Sequence, residues 1–197
     1  MFSKLIASLA VISLLTVGVS SKFSAGGCPS YSVVSSFTPS SYMGNWYEQR
    51  RDKNFIFEGG DCSTASYRNL RESSTKFDVL NGLMHYESKS VIYVDGIGKC
   101  LNGAKCTVQF TAPTSFEGKY HILATDYTNY AVVYSCSEFL GIPNFFKTEY
   151  GWILSRAQSI PAASLTTATA ALNNVGYSVS SDIIVNQYYF KNYHSEE

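Results

Sequence analysis

Three histidines and five cysteines are the side chains of this sequence with the clearest capacity for nucleophilic or metal chemistry. His85, His121 and His194 stand singly, without the spacing at which ligands converge on a metal ion. No Gly-x-Ser-x-Gly, His-Glu-x-x-His or Cys-x-x-Cys run occurs, and Gly96-Ile97-Gly98 is too short to cradle a phosphate. The sequence therefore reads as that of a non-enzyme with no metal and no cofactor. Its cysteines are odd in number, so one thiol is left over in an oxidising compartment. Cys100 and Cys106 flank a five-residue turn and can close a short bridge across it. A further chemistry is available to Trp46 and Arg156, since a guanidinium over an indole is worth about 0.5–2 kcal/mol.

The elements that must position these groups begin after a leader. Lys4 precedes an apolar run from Leu5 to Val19 and then small residues, which is the pattern of a signal peptide over residues 1–21. Cys28 lacks the leucine three residues upstream that a lipidated cysteine would want. Residues 22–197 read as one domain with no repeat or linker. Fifteen basic and fifteen acidic residues cancel, so nucleic acid is not an expected partner. Fifteen tyrosines and twelve phenylalanines point to pleated structure.

Strand-like runs fall at even spacing over residues 44–51, 63–70, 76–84, 90–96, 106–112, 119–127, 130–136 and 150–156. A helix follows, with Pro161 in its first turn, Leu165, Ala168, Leu172 and Val175 on one face, and Gly176 at its stop. A short strand near residues 183–185 returns to the sheet. The fold expected is all-β with one packed helix. It is an eight-stranded up-and-down antiparallel barrel, a calyx, with the carboxyl-terminal helix on its outside. Alternating strand directions bring Trp46, Tyr127 and Arg156 to the same end. Trp46 as an inward residue carries Glu48 with it, and Arg156 carries Leu154 and Trp152. Phe77, Val79 and Asn81 share one face, as do Tyr120, Ile122 and Ala124.

Three motifs in order, Gly44-Asn45-Trp46-Tyr47-Glu48, Thr125-Asp126-Tyr127 and Gly151-Trp152 to Arg156, resemble those of the lipocalin family, most closely its apolipoprotein D-like and bacterial members. The resemblance covers residues 28–185. It implies that Trp46 and Arg156 close one end of the barrel, with Asp126 accepting hydrogen bonds in the adjoining turn. It also implies a bridge between Cys28 and Cys136. A second family bridge would join Cys62 to a cysteine after Val185-Asn186, but here that position is Gln187, which removes a clasp on the tail. The hairpin cysteines lie roughly 25 Å from Cys62 along the barrel, beyond the reach of a disulfide. Cys62 is thus the odd thiol, placed at the rim.

Strand alternation sets Glu48, Phe77, Val79, Asn81, Tyr120, Ile122, Trp152 and Leu154 on the expected pocket wall, and the resemblance implies that Val79, Asn81, Tyr120 and Trp152 among them line a pocket for a small hydrophobic ligand such as a fatty acid, sterol, retinoid or bilin. The expected function is secreted, extracellular binding and transport. The competing reading is a lipocalin-type enzyme or thiol-dependent antioxidant using Cys62, which could alternatively link a dimer. The 55–61 link and Asn144-Phe145-Phe146 are expected to govern entry, the latter also offering contact with membranes or lipoproteins.

Overall fold

A computed structural model of the chain describes residues 23–53, 55, 59–69, 75–111, 117–139 and 142–187. The leader, residues 70–74, and much of the 55–61 link lie outside the described residues. Among the described residues, ten strands and two α-helices follow in order, with a short 3-10 turn at Val179–Ser181 before the last strand: β1 Phe23–Ala25, α1 Pro39–Tyr42, β2 Gly44–Asp52, β3 Gly60–Asn69, β4 Lys76–His85, β5 Val91–Asn102, β6 Lys105–Phe110, β7 Glu117–Thr125, β8 Tyr130–Glu138, β9 Phe146–Ser155, α2 Ala162–Asn174 and β10 Asp182–Ile184.

Strands β2 to β9 pair antiparallel with their sequence neighbours, and β9 pairs back onto β2, closing an eight-stranded barrel. Closure pairs each strand with a neighbour on either side and leaves no free edge around the wall. The side chains sort by the two-residue alternation of the strands. Trp46, Tyr67, Phe77, Val79, Val108, Ile122, Val133 and Leu154 pack together inside. Their outward neighbours Val132, Tyr134, Cys136 and Ile153 pack under Ala168, Leu172 and Tyr177, so α2 covers the outer wall of β7 to β9. Leu165 and Val175 flank that contact as the helical spacing predicts.

Several boundaries differ from the sequence reading. The strand expected to end at Gly96 continues to Asn102, because Asn102 pairs with Lys105 and the turn shrinks to Gly103-Ala104, with Gly103 at φ +60°. The arm before the barrel contains β1, laid along β9, and the one-turn helix α1. Ala124 does not share the inward face of Tyr120 and Ile122. A register shift between Ile122 and Ala124 turns it into the outer cluster.

Candidate functional site

The closed end is built first by backbone. Gly44 sits at φ +100°, a conformation costly for any other L residue, and a Cβ there would approach Nη1 of Arg156 to 3.2 Å. That explains the glycine of the first motif. Trp46 is fully buried and its indole N–H donates to the Tyr42 carbonyl at 2.9 Å. The guanidinium of Arg156 lies 3.7 Å from the indole centroid. Its nitrogens also donate to the carbonyls of Tyr127, Asn45, Ser41, Tyr42 and Met43. One side chain thereby ties α1, the start of β2 and the β7–β8 turn into a floor. Burial lowers its pKa from the usual arginine value. In the β7–β8 turn, the Asp126 carboxylate accepts from the backbone N–H groups of Thr128, Asn129 and Tyr130.

Above this floor, the hydroxyl of Tyr120 is hydrogen-bonded to those of Tyr42 at 2.9 Å and Tyr67 at 2.8 Å. Burial is the main reason that the Tyr42 and Tyr120 phenols are held well above their ordinary pKa. Tyr120 thus spends its polar tip on the floor and shows its ring to the interior. Phe37 packs edge-on against Tyr42 and stacks on Tyr127 at the same end.

The upper wall has a different chemistry. Glu48 is buried, and its carboxylate accepts from Nη1 of Arg51 at 2.7 Å and from the Ser63 hydroxyl at 3.3 Å. Arg51 also donates to the Gly60 carbonyl. Parity counted from Trp46 assigns Arg50, not Arg51, to the interior. A bulge between Glu48 and Arg50 reverses this, pairing Arg51 with Trp152 and Arg50 with Ile153. Ile122, Phe77, Val79 and Leu154 are buried on the inner face, whereas Trp152 and Asn81 are only half-buried. Phe55 packs edge-on against both Tyr150 and Trp152, with centroids 5.1 Å apart in each case. Tyr42, Tyr67, Arg51 and Ser63 were not anticipated as part of the interior. For Tyr67 the alternation of β3 carried the signal, while the others depend on a bulge or on the arm's path.

The structure joins Cys28 to Cys136 and Cys100 to Cys106. Cys62 stands in the open-end start of β3, but without exposure there. Cys62 is wholly buried, at φ +52° in an irregular start of β3, and its N–H donates to the Asn186 carbonyl. The tail is also not released at Gln187. β10 takes the edge of β2 that β3 vacates above Tyr47, and the Gln187 amide then donates to the carbonyls of Glu48 at 2.7 Å and Ser63 at 2.9 Å. An amide bridges the two strands where the family pattern has a disulfide.

At the opposite end from the floor, Phe139, Ile142, Phe145 and Phe146 on the β8–β9 hairpin and Tyr86, Val91, Ile92 and Tyr93 around the β4–β5 hairpin are exposed. A shallow hollow of about 150 Å³ between Tyr47 and Tyr93 lies on the outer wall, facing away from the barrel interior. Among the described residues no cluster of three or more His, Cys, Asp or Glu could hold a metal, and no helix is long and apolar enough to cross a membrane.

A family profile described as a lipocalin-like domain matches residues 39–187. Apolipoprotein D of Rattus norvegicus is 37% identical over 165 residues, 82% of each chain. The Lazarillo protein of Schistocerca americana is 30% identical over 87% of this chain and 79% of its own. Insecticyanin from the tobacco hornworm Manduca sexta superposes with a TM-score of 0.72 at 22% identity, over 84% of this chain and 89% of that one.

Proposed function

The chain belongs to the lipocalin family, and from that premise we propose that it is a secreted carrier that holds a small hydrophobic ligand inside its barrel. The observation that carries this reading is the asymmetry of the interior. One end is sealed by Trp46, Arg156 and the tyrosine hydroxyls, while Trp152, Asn81 and Tyr120, each only half-buried, stand at inward positions of the wall above them. Apolar surface moved from water into such a lining is favourable by about 25 cal/mol per Å². Phe77, Val79, Ile122, Trp152 and Leu154 supply that surface, and Glu48 acts as a wall member, its charge already answered by Arg51.

Binding needs no bond making, so the carrier reading requires no catalytic group. Burial also weighs against a reactive role for Cys62, because a thiolate must meet its oxidant or partner thiol at the surface. Secretion is supported by the leader at residues 1–21 and by two disulfides, which persist in oxidising compartments. The exposed aromatics at the mouth fit brief contact with a lipid surface during loading.

Native mass spectrometry of the secreted full-length chain, with extraction of what travels with it, tests this directly. The expected result is a mass increment of a few hundred daltons that solvent extraction removes, and saturable quenching of Trp152 fluorescence when the extract is restored. A chain that arrives empty and shows no quenching with fatty acids, sterols, retinoids or bilins would overturn the proposal.

A further inference from the structure

The carboxyl-terminal tail meets the barrel through two carboxyls and one hydroxyl. Asp52 ends β2 and Asp182 begins β10, and the register sets the two directly opposite each other. Like charges in that position are destabilising. The hydroxyl of Tyr177 stands between them, 2.7 Å from Oδ2 of Asp52 and 2.7 Å from Oδ1 of Asp182. Its ring is seated where β9 has Gly151, since a Cβ there would come within 2.7 Å of it. A phenol has a single proton to donate. With both carboxyls ionised, one of the two contacts would set oxygen lone pairs against each other at hydrogen-bond distance. Burial first, then Asp182 and Asp52, push the Tyr177 pKa up, so the phenol keeps its own proton and remains a donor.

The titratable groups packed around this contact are engaged in other ways. On β8 the Tyr134 ring lies edge-on to Tyr177, and its hydroxyl donates to Glu149 of β9, which Lys147 neutralises at 2.9 Å. Tyr150 of β9 has its pKa raised by burial and then by the charge of Asp52. Neither α2 nor the 3-10 turn Val179–Ser181 carries a titratable residue. On β2, Arg50 pairs with neither carboxylate, its Nη1 being buried without a partner among the described residues, and the neighbouring Lys53 is exposed. A second proton is what makes both short contacts hydrogen bonds at once. Two carboxylates that share a site keep one proton between them and titrate as a pair.

We propose that a proton latches the tail of this protein: Asp52 and Asp182 hold it between them across the Tyr177 hydroxyl, and its loss as the pH rises loosens β10 and the residues after it. Those residues include Asn186, whose carbonyl accepts from the N–H of buried Cys62. The folded pair binds this proton more firmly than the two separate carboxylates of the unfolded chain. The latch therefore contributes fully in acid and is lost as the pH climbs through the value at which the folded pair ionises. It does not depend on the carrier reading.

Asp182→Asn supplies the second donor permanently, because its amide can bond the Tyr177 oxygen at any pH. Alkylation of Cys62 by iodoacetamide in the full-length protein reads the opening of the tail. The growth of thiol reactivity with pH is common to both chains, so it cancels in the ratio of their rates. The wild-type rate should match that of D182N within about twofold at pH 6 and exceed it about tenfold or more at pH 9. A ratio that does not grow with pH overturns the proposal. Asp52→Asn is the reciprocal variant and should give the same result. Infrared spectra of the unaltered chain decide the matter even if neither variant folds. A protonated-carboxyl band should survive at pH 6, where ordinary carboxyls with pKa about 4 are ionised, and fade by pH 9. Absence of that band at pH 6 also overturns the latch.

Discussion

The two ends of this barrel solve opposite problems with the same strands. At the closed end polar groups find partners: Arg156 donates to five carbonyls, Asp126 collects three backbone N–H groups, and three tyrosine hydroxyls share two hydrogen bonds. Toward the open end the side-chain carbonyl oxygens of Asn81 and Gln187 have no partner in the protein, and large apolar side chains face solvent. A satisfied network fixes one geometry, whereas a wall with unused polar capacity can accommodate a guest. The floor is therefore the structural part and the mouth the adaptable part.

Removing the two staples tests how the halves are held. Cys28 and Cys136 are separated by 108 residues and fasten the amino-terminal arm to β8. Their replacement by serine should cost about 4.7 kcal/mol from loop entropy. Cys100 and Cys106 are separated by six residues in the closed-end hairpin, and their replacement should cost only about half as much. Urea unfolding of the two double variants checks the order, and an equal loss in both would mean that strain or residual structure dominates. Arg156→Ala comes next, at about 3 kcal/mol, since it leaves five carbonyls, three of them in part-buried hydrogen bonds, without their donor and removes the cation over Trp46. Arg156→Lys should recover less than half of that, because one ammonium cannot reach the same spread of acceptors.

The contrast between the ends also governs what could be read from the sequence. The closed end was legible because its parts are periodic or have special backbone needs. Gly44 requires a positive φ, Trp46 and Arg156 begin and follow regular strands, and Asp126 precedes a tight turn. Alternation then gave Phe77, Val79, Asn81, Ile122 and Leu154 their inward side. It failed wherever a bulge inserts one residue. The register shift on β2 exchanges Arg50 for Arg51, the one on β7 sends Ala124 outward, and the one on β3 buries Cys62. A bulge leaves no compositional trace, because it is decided by how the closing strands fit. The Gln187 clasp was missed for a related reason, since a side-chain amide bridging two carbonyls has no spacing signature.

That clasp sharpens the comparison at the mouth. Gln187→Ala removes both amide hydrogen bonds between the tail and the carbonyls of Glu48 and Ser63, and should cost about 1–2 kcal/mol. The effect should be local. Hydrogen exchange at the Cys62 amide, which depends on Asn186, should quicken much more than exchange at β8 and β9. Uniform acceleration over the barrel would instead make the tail part of the global fold.

Acid titration should give the smallest effect, and it separates the outer wall from the floor. The His121 ring nitrogen Nδ1 meets the Tyr31 hydroxyl at 2.7 Å, clipping the arm to β7. Burial first, then Lys119 and Lys105, lower its pKa below the ordinary histidine value. The folded state therefore binds this proton less readily than the unfolded chain, so stability falls as the pH drops below about 6.5 and levels off once the folded value is passed. Asp126 acts lower on the scale. Its partial burial opposes the shift, but hydrogen bonds led by Asn129 outweigh that and depress its pKa. Its contribution persists down to about pH 4 and disappears only below that. Urea midpoints measured from pH 8 to 3 should show two separate steps. His121→Gln should abolish the upper step and Asp126→Asn the lower one. Loss of both steps in either variant would mean that the arm and the floor titrate as one unit, against the independence of the two regions.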